Sequence, residues 1–176
     1  MKKARVATMW LDACSGCHMS FLDIDEALLD VAPKIDLVYG PLVDAQEFPD
    51  DVDVCIIEGA IGNQDDVERV KRARERSRIL VALGDCATTG NVPSMRNPIP
   101  VKTILERVYI EGAEGQKVIP TQGVPALMRH ARPLHELVKI DLHVPGCPPP
   151  APAILYVVSE LLAGRIPDLK SKVRFG

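Results

Sequence analysis

RILVALGDC, residues 78–86, joins an unbroken apolar run to a glycine and a cysteine. A run of Val, Ile, Leu and Ala without alternating polar residues is typical of a strand that is buried on both faces of a parallel sheet. Similar runs recur along the chain together with helical patterns. We predict strands at 4–11, 35–40, 52–59, 78–84 and 140–144, and helices at 20–31, 65–77, 101–110 and 152–163.

The order of these elements predicts the fold class. Strands that alternate with helices form an α/β fold, with helices on both faces of a mostly parallel sheet. We therefore predict a flavodoxin-like open parallel sheet, and 176 residues without repeat or linker predict one domain over residues 1–176. The segment 111–133 fits neither pattern. It is either a functional or partner-contact loop or a plain surface excursion.

Composition and charge limit the partners and the compartment. The net charge is −3 and no long basic tract is present, so nucleic acid is not an expected partner. No run of 18 apolar residues exists that could form a membrane span. The amino terminus has no signal-peptide cleavage pattern and no twin-arginine motif, so we expect a cytoplasmic protein. There, five cysteines are more often metal ligands or catalytic groups than disulfide partners.

Four of the cysteines follow strands of the predicted sheet. Cys14 and Cys17 come after the first strand, Cys86 after the strand at 78–84, and Cys147 after the last strand. The carboxyl ends of parallel strands share one edge of the sheet, and ligands bind at that edge. We therefore expect these four thiols to converge there.

Four convergent thiolates suit either zinc or an iron–sulfur cluster. Structural zinc sites usually combine two close cysteine pairs, whereas this chain offers one C-x-x-C pair and two single cysteines. A 4Fe–4S cluster is larger than one ion and accepts ligands from separate loops. The spacing favours such a cluster at the carboxyl edge of the strands, with zinc as the alternative. A thioredoxin-type dithiol at Cys14 and Cys17 is a further alternative, but it leaves Cys86 and Cys147 without a role.

Three other residues near these strand ends need an interpretation. Cys55 lies inside an apolar run, where a free cysteine acts as a small hydrophobe, so we expect core packing. Glu58 ends the same strand and either contacts the cluster loops, assists proton movement, or is a solvated strand-end residue. His18 adjoins Cys17 and could contact the site. The remaining histidines lack metal-ligand spacing and are not assigned as ligands.

Four motifs in a fixed order cover nearly the whole chain: CSGCHMSFLDID (14–25), IIEGAI (56–61), GDCATTGNVP (84–93) and PGCPPPAPAI (145–154). With these motifs the sequence resembles the small subunit of nickel–iron hydrogenases. The wording of the first motif most resembles the soluble, bidirectional, NAD-linked branch. The resemblance implies that one 4Fe–4S cluster, the one nearest the nickel–iron centre, is held by Cys14, Cys17, Cys86 and Cys147.

The sequence departs from the family pattern at two points. No cysteine follows Cys147, so we expect this domain to hold a single cluster, as in the soluble branch. Many relatives have a glutamate immediately before the first motif cysteine, and Ala13 occupies that position here. A proton-relay role at this position is therefore not implied.

The resemblance also implies a function. It predicts the electron-transfer subunit of an NAD-reducing hydrogenase (hydrogen dehydrogenase), with no catalytic residue in this chain. The expected partners are a large subunit with the nickel–iron centre and diaphorase subunits with FMN, iron–sulfur clusters and the NAD site. One alternative is the matching subunit of a complex I-like quinone reductase, which shares PGCPP but has adjacent cysteines in its first motif. The other is a zinc-stabilised flavodoxin-like binding module without electron transfer.

Overall fold

A five-stranded parallel sheet lies at the centre of the fold in the computed structural model, which describes residues 3–175. The strands are β1 Ala4–Trp10, β2 Ile35–Tyr39, β3 Val52–Glu58, β4 Ile61–Asn63, β5 Ser77–Leu83, β6 Leu127–Arg132 and β7 Leu142–Val144. The sheet order is β2-β1-β3-β5-β7, and every neighbouring pair is parallel. The short strands β4 and β6 form a separate antiparallel pair. The predicted α/β fold with an open parallel sheet is confirmed.

The helices connect the strands and cover the sheet. They are α1 Gly16–Leu22, α2 Leu28–Val31, α3 Gln64–Arg76, α4 Gly84–Thr89, α5 Asn91–Ser94, α6 Val101–Glu106 and α7 Ala151–Leu162. Short 3₁₀ turns follow at Asp25–Ala27, Ala32–Lys34 and Leu134–Glu136, and α6 continues into a π-helical turn at Arg107–Glu111. Over residues 3–175, none of the helices combines the length and the apolar character that a bilayer span requires.

Two apolar clusters cover the two faces of the sheet. Neighbouring side chains of β3 point to opposite faces, so Ile57 packs with Met9 and Val70 on one face. Ile56 packs with Ile154 of α7 on the other face. Full burial of a side chain of this size stabilises the fold by roughly 1.5–3 kcal/mol. This two-sided burial explains why the central strands are apolar at nearly every position.

The charged helix α3 begins at Gln64, one residue before the predicted start. Asn63 accepts a hydrogen bond from the Asp66 N–H, and the Asp66 carboxylate accepts one from the Asn63 N–H, which together form a capping box. Asp65 adds a second carboxylate to the first turn, near the positive end of the helix dipole. The helix ends at Arg76, one residue before the predicted end.

The predicted single helix at 20–31 is wrong. The first helix instead starts at Gly16 and ends at Leu22, and a 3₁₀ turn and the one-turn helix α2 follow. Asp25 has a φ of 53°, a left-handed conformation that an α-helix cannot continue through and that Asp tolerates better than most residues. The apolar spacing that predicted one helix does not reveal this break.

The prediction that 111–133 contains no regular structure is also wrong. Its last part forms β6, which pairs with β4. Arg96 fixes both strands, because its guanidinium donates hydrogen bonds to the carbonyl oxygens of Met128 and Gly62. Asn97 exchanges two hydrogen bonds with the Ala131 backbone. The remainder of the segment, up to Ala126, is irregular and largely exposed.

An ion pair joins helix α3 to the start of the last strand. The Asp141 carboxylate accepts hydrogen bonds from Arg74 and from the Leu80 N–H, and Arg74 also donates to three carbonyl oxygens near both segments. Burial opposes ionisation of Asp141, but the hydrogen bonds from Arg74 and Leu80 outweigh it and hold the pKa of this carboxyl below its usual range.

We expect Asp141→Asn to lower the free energy of unfolding at neutral pH by about 1–2 kcal/mol, because it removes a partly covered charge-assisted hydrogen bond. A depressed carboxyl pKa stabilises the fold above the unfolded-state pKa of about 3.9, and this contribution is lost as the pH falls through the lower folded-state value. The difference between wild type and variant should therefore vanish in acid. Denaturant unfolding at several pH values measures it, with Glu68→Gln, which breaks an exposed pair to Lys71, as the control. An equal loss in both variants, or one independent of pH, would contradict the prediction.

Candidate metal centre

The four predicted ligand cysteines lie at the carboxyl edge of the parallel sheet. Cys14 follows β1, Cys17 lies in the first turn of α1, Cys86 lies in the first turn of α4 after β5, and Cys147 follows β7. Cys17 is buried, Cys86 is partly covered, and the other two are exposed. Two of the four thus lie in short helices, and not in loops as the sequence had suggested.

The structure brings these four thiols together. Each of the other three lies close enough to Cys17 to act on its ionisation. The loops that hold them are also joined to one another: the Asp85 N–H donates to the Gly146 carbonyl at 2.9 Å, and the Gly146 N–H donates to the Asp85 carboxylate at 2.7 Å. These bonds connect the end of β5 with the end of β7, next to two of the cysteines.

The proline-rich loop after Cys147 is fixed from the opposite side. The Ser20 hydroxyl in α1 donates a hydrogen bond of 2.6 Å to the carbonyl oxygen of Pro149, and both residues are buried. Because α1 also contains Cys17, this bond links the first and the last cysteine loops. The proline-rich loop is therefore fixed relative to α1, which holds the Cys147 thiol in a defined position relative to Cys17.

The electrostatics of the site oppose free thiolates. Burial raises the pKa of the Cys17 thiol above its ordinary value, and the Glu58 carboxylate and the other three thiols raise it further. Burial and then the charge of Cys147 raise the pKa of Cys86 to about 11, although a backbone hydrogen bond from Val92 lowers it. A thioredoxin-type dithiol needs a lowered thiol pKa, whereas burial raises that of Cys17, so the site gives no support to that alternative.

These observations are consistent with a cationic group among the sulfurs. Convergent thiolates repel each other unless metal cations lie between them, and a thiol that coordinates a metal is deprotonated outright. No group of three or more His, Cys, Asp or Glu side chains among residues 3–175 is spaced for a single metal ion. A cubane cluster takes thiolates that are farther apart than the ligands of one ion. The donor set therefore fits an iron–sulfur cluster.

Two glycines leave room beside the sulfurs. A Cβ atom on Gly84 would lie 2.2 Å from the Cys17 sulfur, and Gly84 has a left-handed φ of 83°. A Cβ atom on Gly16 would lie 3.2 Å from the Cys14 sulfur. The close approach of the backbone to both sulfurs thus requires glycine at the first position and favours it at the second.

Glu58 is buried and paired, so its interpretation as a solvated strand-end residue is wrong. It is 1% exposed, and its carboxylate accepts a hydrogen bond of 2.8 Å from the His18 N–H. The same oxygen lies 2.5 Å from Nδ1 of the His18 ring. Within the described part of the chain, the second carboxylate oxygen and His18 Nε2 are buried without a hydrogen-bond partner. The pair fixes the first turn of α1 and therefore the backbone beside Cys17.

Cys55 is a core residue, as predicted. Its side chain is completely buried in the cluster around Met9 and Leu80, and burial raises the pKa of its thiol above the ordinary value. The rings of His135 and His143 are in edge contact with centroids 5.9 Å apart. Neither ring is among the groups that shift the pKa of Cys17 or of Cys86.

Two N–H donors at the start of α5 were not predicted from the sequence. The Asn91 side-chain amide nitrogen lies 3.4 Å from the Cys147 sulfur. The Val92 N–H lies close enough to Cys86 to lower the pKa of that thiol. The pair Gly90–Asn91 was the available signal, because both residue types are enriched in left-handed turns.

Comparisons with known proteins agree with the motifs. The family model described as NADH ubiquinone oxidoreductase, 20 Kd subunit, matches residues 14–161. The NAD-reducing hydrogenase HoxS subunit delta of Cupriavidus necator is 36% identical over 97% of this chain and 84% of that protein. A subunit of the F420-non-reducing hydrogenase vhu of Methanocaldococcus jannaschii is 36% identical over 96% of this chain, which spans only 59% of that relative.

A solved structure agrees with the fold as well. A chain in the crystal structure of an NAD⁺-reducing [NiFe]-hydrogenase in the H₂-reduced state superposes with a TM-score of 0.94 at 37% sequence identity. The match covers 99% of this chain and 100% of that chain. The similarity therefore extends over the whole domain, including every loop that contains a cysteine of the site.

Proposed function

The chain belongs to the NADH ubiquinone oxidoreductase, 20 Kd subunit, family, within which its relatives are small subunits of hydrogenases, and we propose that it transfers electrons in a soluble NAD-reducing nickel–iron hydrogenase. The observation that supports this most directly is the convergence of four thiols at one sheet edge. The similarity over the full length to a chain of an NAD⁺-reducing hydrogenase supports the same function.

Cys14, Cys17, Cys86 and Cys147 would hold one 4Fe–4S cluster in this proposal. Such a cluster supplies one-electron chemistry, with a potential set by charge, hydrogen bonds to the sulfurs and solvent exposure. The chain itself supplies a rigid binding site that is partly shielded from water. Gly84 leaves space beside the buried Cys17 sulfur, and the hydrogen-bonded segments after β5 and β7 hold the backbone next to Cys86 and Cys147.

The catalytic centre would lie on a partner. We propose a large subunit with the nickel–iron site, where hydrogen is split into protons and electrons, and diaphorase subunits that bind FMN and NAD. Two of the cysteines are exposed at the sheet edge, and three apolar side chains of helix α5 and of the turn after it, which follow Cys86 in the chain, are exposed as well. They are Val92, Met95 and Ile99. A partner that covers this edge would bury them and shield the cluster from water.

The compartment and the irregular segment follow from the same proposal. Free thiols and a cluster are compatible with the reducing cytoplasm, where we place the complex. The stretch 111–126 is a second candidate for a partner contact, since nearly all of its residues are exposed. A complex I-like role is less well supported, because the relatives named above are hydrogenase subunits.

Metal analysis of the native complex tests the proposal. We expect about four iron atoms and four acid-labile sulfides from this chain in protein purified without oxygen, with nickel, flavin and hydrogen-dependent NAD⁺ reduction in the same complex. Variants of this chain, as described below, assign the iron to it and not to the partners. Stoichiometric zinc without sulfide would establish the zinc-stabilised alternative. A 19.2 kDa monomer that oxidises hydrogen unaided would also contradict the proposal.

A further inference from the structure

The turn formed by Gly90 and the start of α5 directs two N–H groups towards two different cysteines. Gly90 has a φ of 86° and Asn91 a φ of 28°, so the backbone is left-handed at two successive residues. This conformation places the Asn91 amide nitrogen 3.4 Å from the Cys147 sulfur. It also brings the Val92 N–H close enough to Cys86 to lower the pKa of that thiol. The turn therefore connects cysteines that follow two different strands.

The turn is held by its own hydrogen bonds and does not depend on the Asn91 side chain. The Gly90 N–H donates to the Cys86 carbonyl, and the Ser94 N–H donates to the Gly90 carbonyl at 3.1 Å. The Ser94 hydroxyl donates to the carbonyl of Asn91 at 2.7 Å. Because the backbone is fixed in this way, the side-chain amide of Asn91 is not needed to hold the turn and can donate a hydrogen bond to the Cys147 sulfur.

The chemistry of the sulfur determines which end of the amide faces it. A cysteine sulfur bound to iron has no hydrogen and can only accept, while a carboxamide has two N–H donors on nitrogen and an acceptor oxygen. The nitrogen must therefore point to Cys147, and the opposite orientation would place two acceptors together. An asparagine at this position therefore presents its N–H donors, and not its carbonyl oxygen, to the sulfur.

We infer that Asn91 is a positioning residue that raises the reduction potential of the cluster through its hydrogen bond to Cys147. This inference rests on the proposed cluster. Reduction adds one negative charge, part of which resides on the cysteine sulfurs, so a donor stabilises the reduced state more than the oxidised state. The Val92 N–H acts on Cys86 in the same direction, but no side-chain substitution removes it.

Redox titration of the native complex, followed by electron paramagnetic resonance, tests the inference. Asn91→Asp keeps the size of the side chain and the tolerance for a left-handed φ, but it removes both donors and adds a charge. We expect the one-electron equilibrium constant for reduction to fall about tenfold, which lowers the midpoint potential by about 59 mV. Asn91→Gly removes the donor without adding charge and should give a smaller fall in the same direction, about threefold.

The control is Ser94→Ala, which removes the hydroxyl that contacts the same turn and leaves the amide intact. Its potential should equal that of the wild type, and all three variants should retain wild-type iron and sulfide. Unchanged potentials in both Asn91 variants would overturn the inference, as would an equal shift in the control. Loss of the cluster in both Asn91 variants would make Asn91 a structural residue and overturn it as well. Absence of iron and sulfide from the wild type would instead refute the proposed function.

Discussion

Cys17→Ala is expected to remove the cluster from this chain and to abolish hydrogen-dependent NAD⁺ reduction by the complex. Cys17 is the most buried of the four cysteines, so no water or neighbouring side chain can easily replace its thiolate as an iron ligand. Loss of an outer-shell partner already costs metal sites about 10–100-fold in affinity or activity, and loss of a ligand should cost more than about 100-fold. Iron and sulfide analysis together with the hydrogen-dependent rate measures the effect.

Cys55→Ala is the matched control for this substitution. Cys55 is buried like Cys17 but lies in the core cluster on one face of the sheet and not at its carboxyl edge. Removal of one buried sulfur atom should lower the free energy of unfolding by about 1 kcal/mol and leave the iron content unchanged. A folded Cys55→Ala variant without cluster, beside a Cys17→Ala variant that keeps it, would show that the ligands are misassigned.

The strands and the position of the site were predictable because both depend on local composition. A strand covered on both faces must be apolar at nearly every position, and β3 and β5 are therefore visible as unbroken runs. Once those strands are known to be parallel, their carboxyl ends share one edge, and any cysteine that follows them must lie there. The proximity of Cys86 and Cys147, about 60 residues apart in sequence, was therefore predictable without knowledge of any contact.

The elements that the sequence did not predict depend on partners that are distant in the chain. Strand β6 is buried at only one of its six positions, and hydrogen bonds from Arg96 and Asn97 hold it in place. The break near Asp25 follows from one backbone conformation, which the helical spacing around it cannot indicate.

Glu58 illustrates the same limit within the site. A glutamate at the end of a strand is usually exposed, and only its contacts with His18 explain why this one is buried. The hydrogen bond from Asn91 likewise joins residues 56 positions apart. A polar contact of this kind depends on two residues that are far apart in the sequence, so neither residue alone predicts it.

Gly84→Ala is expected to eliminate the cluster although it adds a single methyl group. The new Cβ atom would lie 2.2 Å from the Cys17 sulfur, a distance that forces either a backbone or the sulfur to move. Neither backbone can move easily, because Gly84 is followed by Asp85, which is bonded to Gly146, and α1 is fixed by Ser20 and the His18–Glu58 pair, so the side-chain sulfur is the atom that must shift. The sulfur must therefore leave its position, and we expect iron and sulfide in this chain to fall to the level of Cys17→Ala.

Gly164→Ala separates this steric effect from backbone strain. Gly164 also has a left-handed φ, of 74°, but a Cβ atom there would meet nothing within 4 Å. Both substitutions therefore add about 1–2 kcal/mol of conformational strain, whereas only Gly84→Ala displaces a ligand sulfur. Gly164→Ala should retain full iron content and hydrogen-dependent NAD⁺ reduction, with a modest loss of thermal stability. Equal iron content in the two variants would mean that the Cys17 sulfur is not where a cluster needs it, and the ligand set proposed for this edge would have to be abandoned.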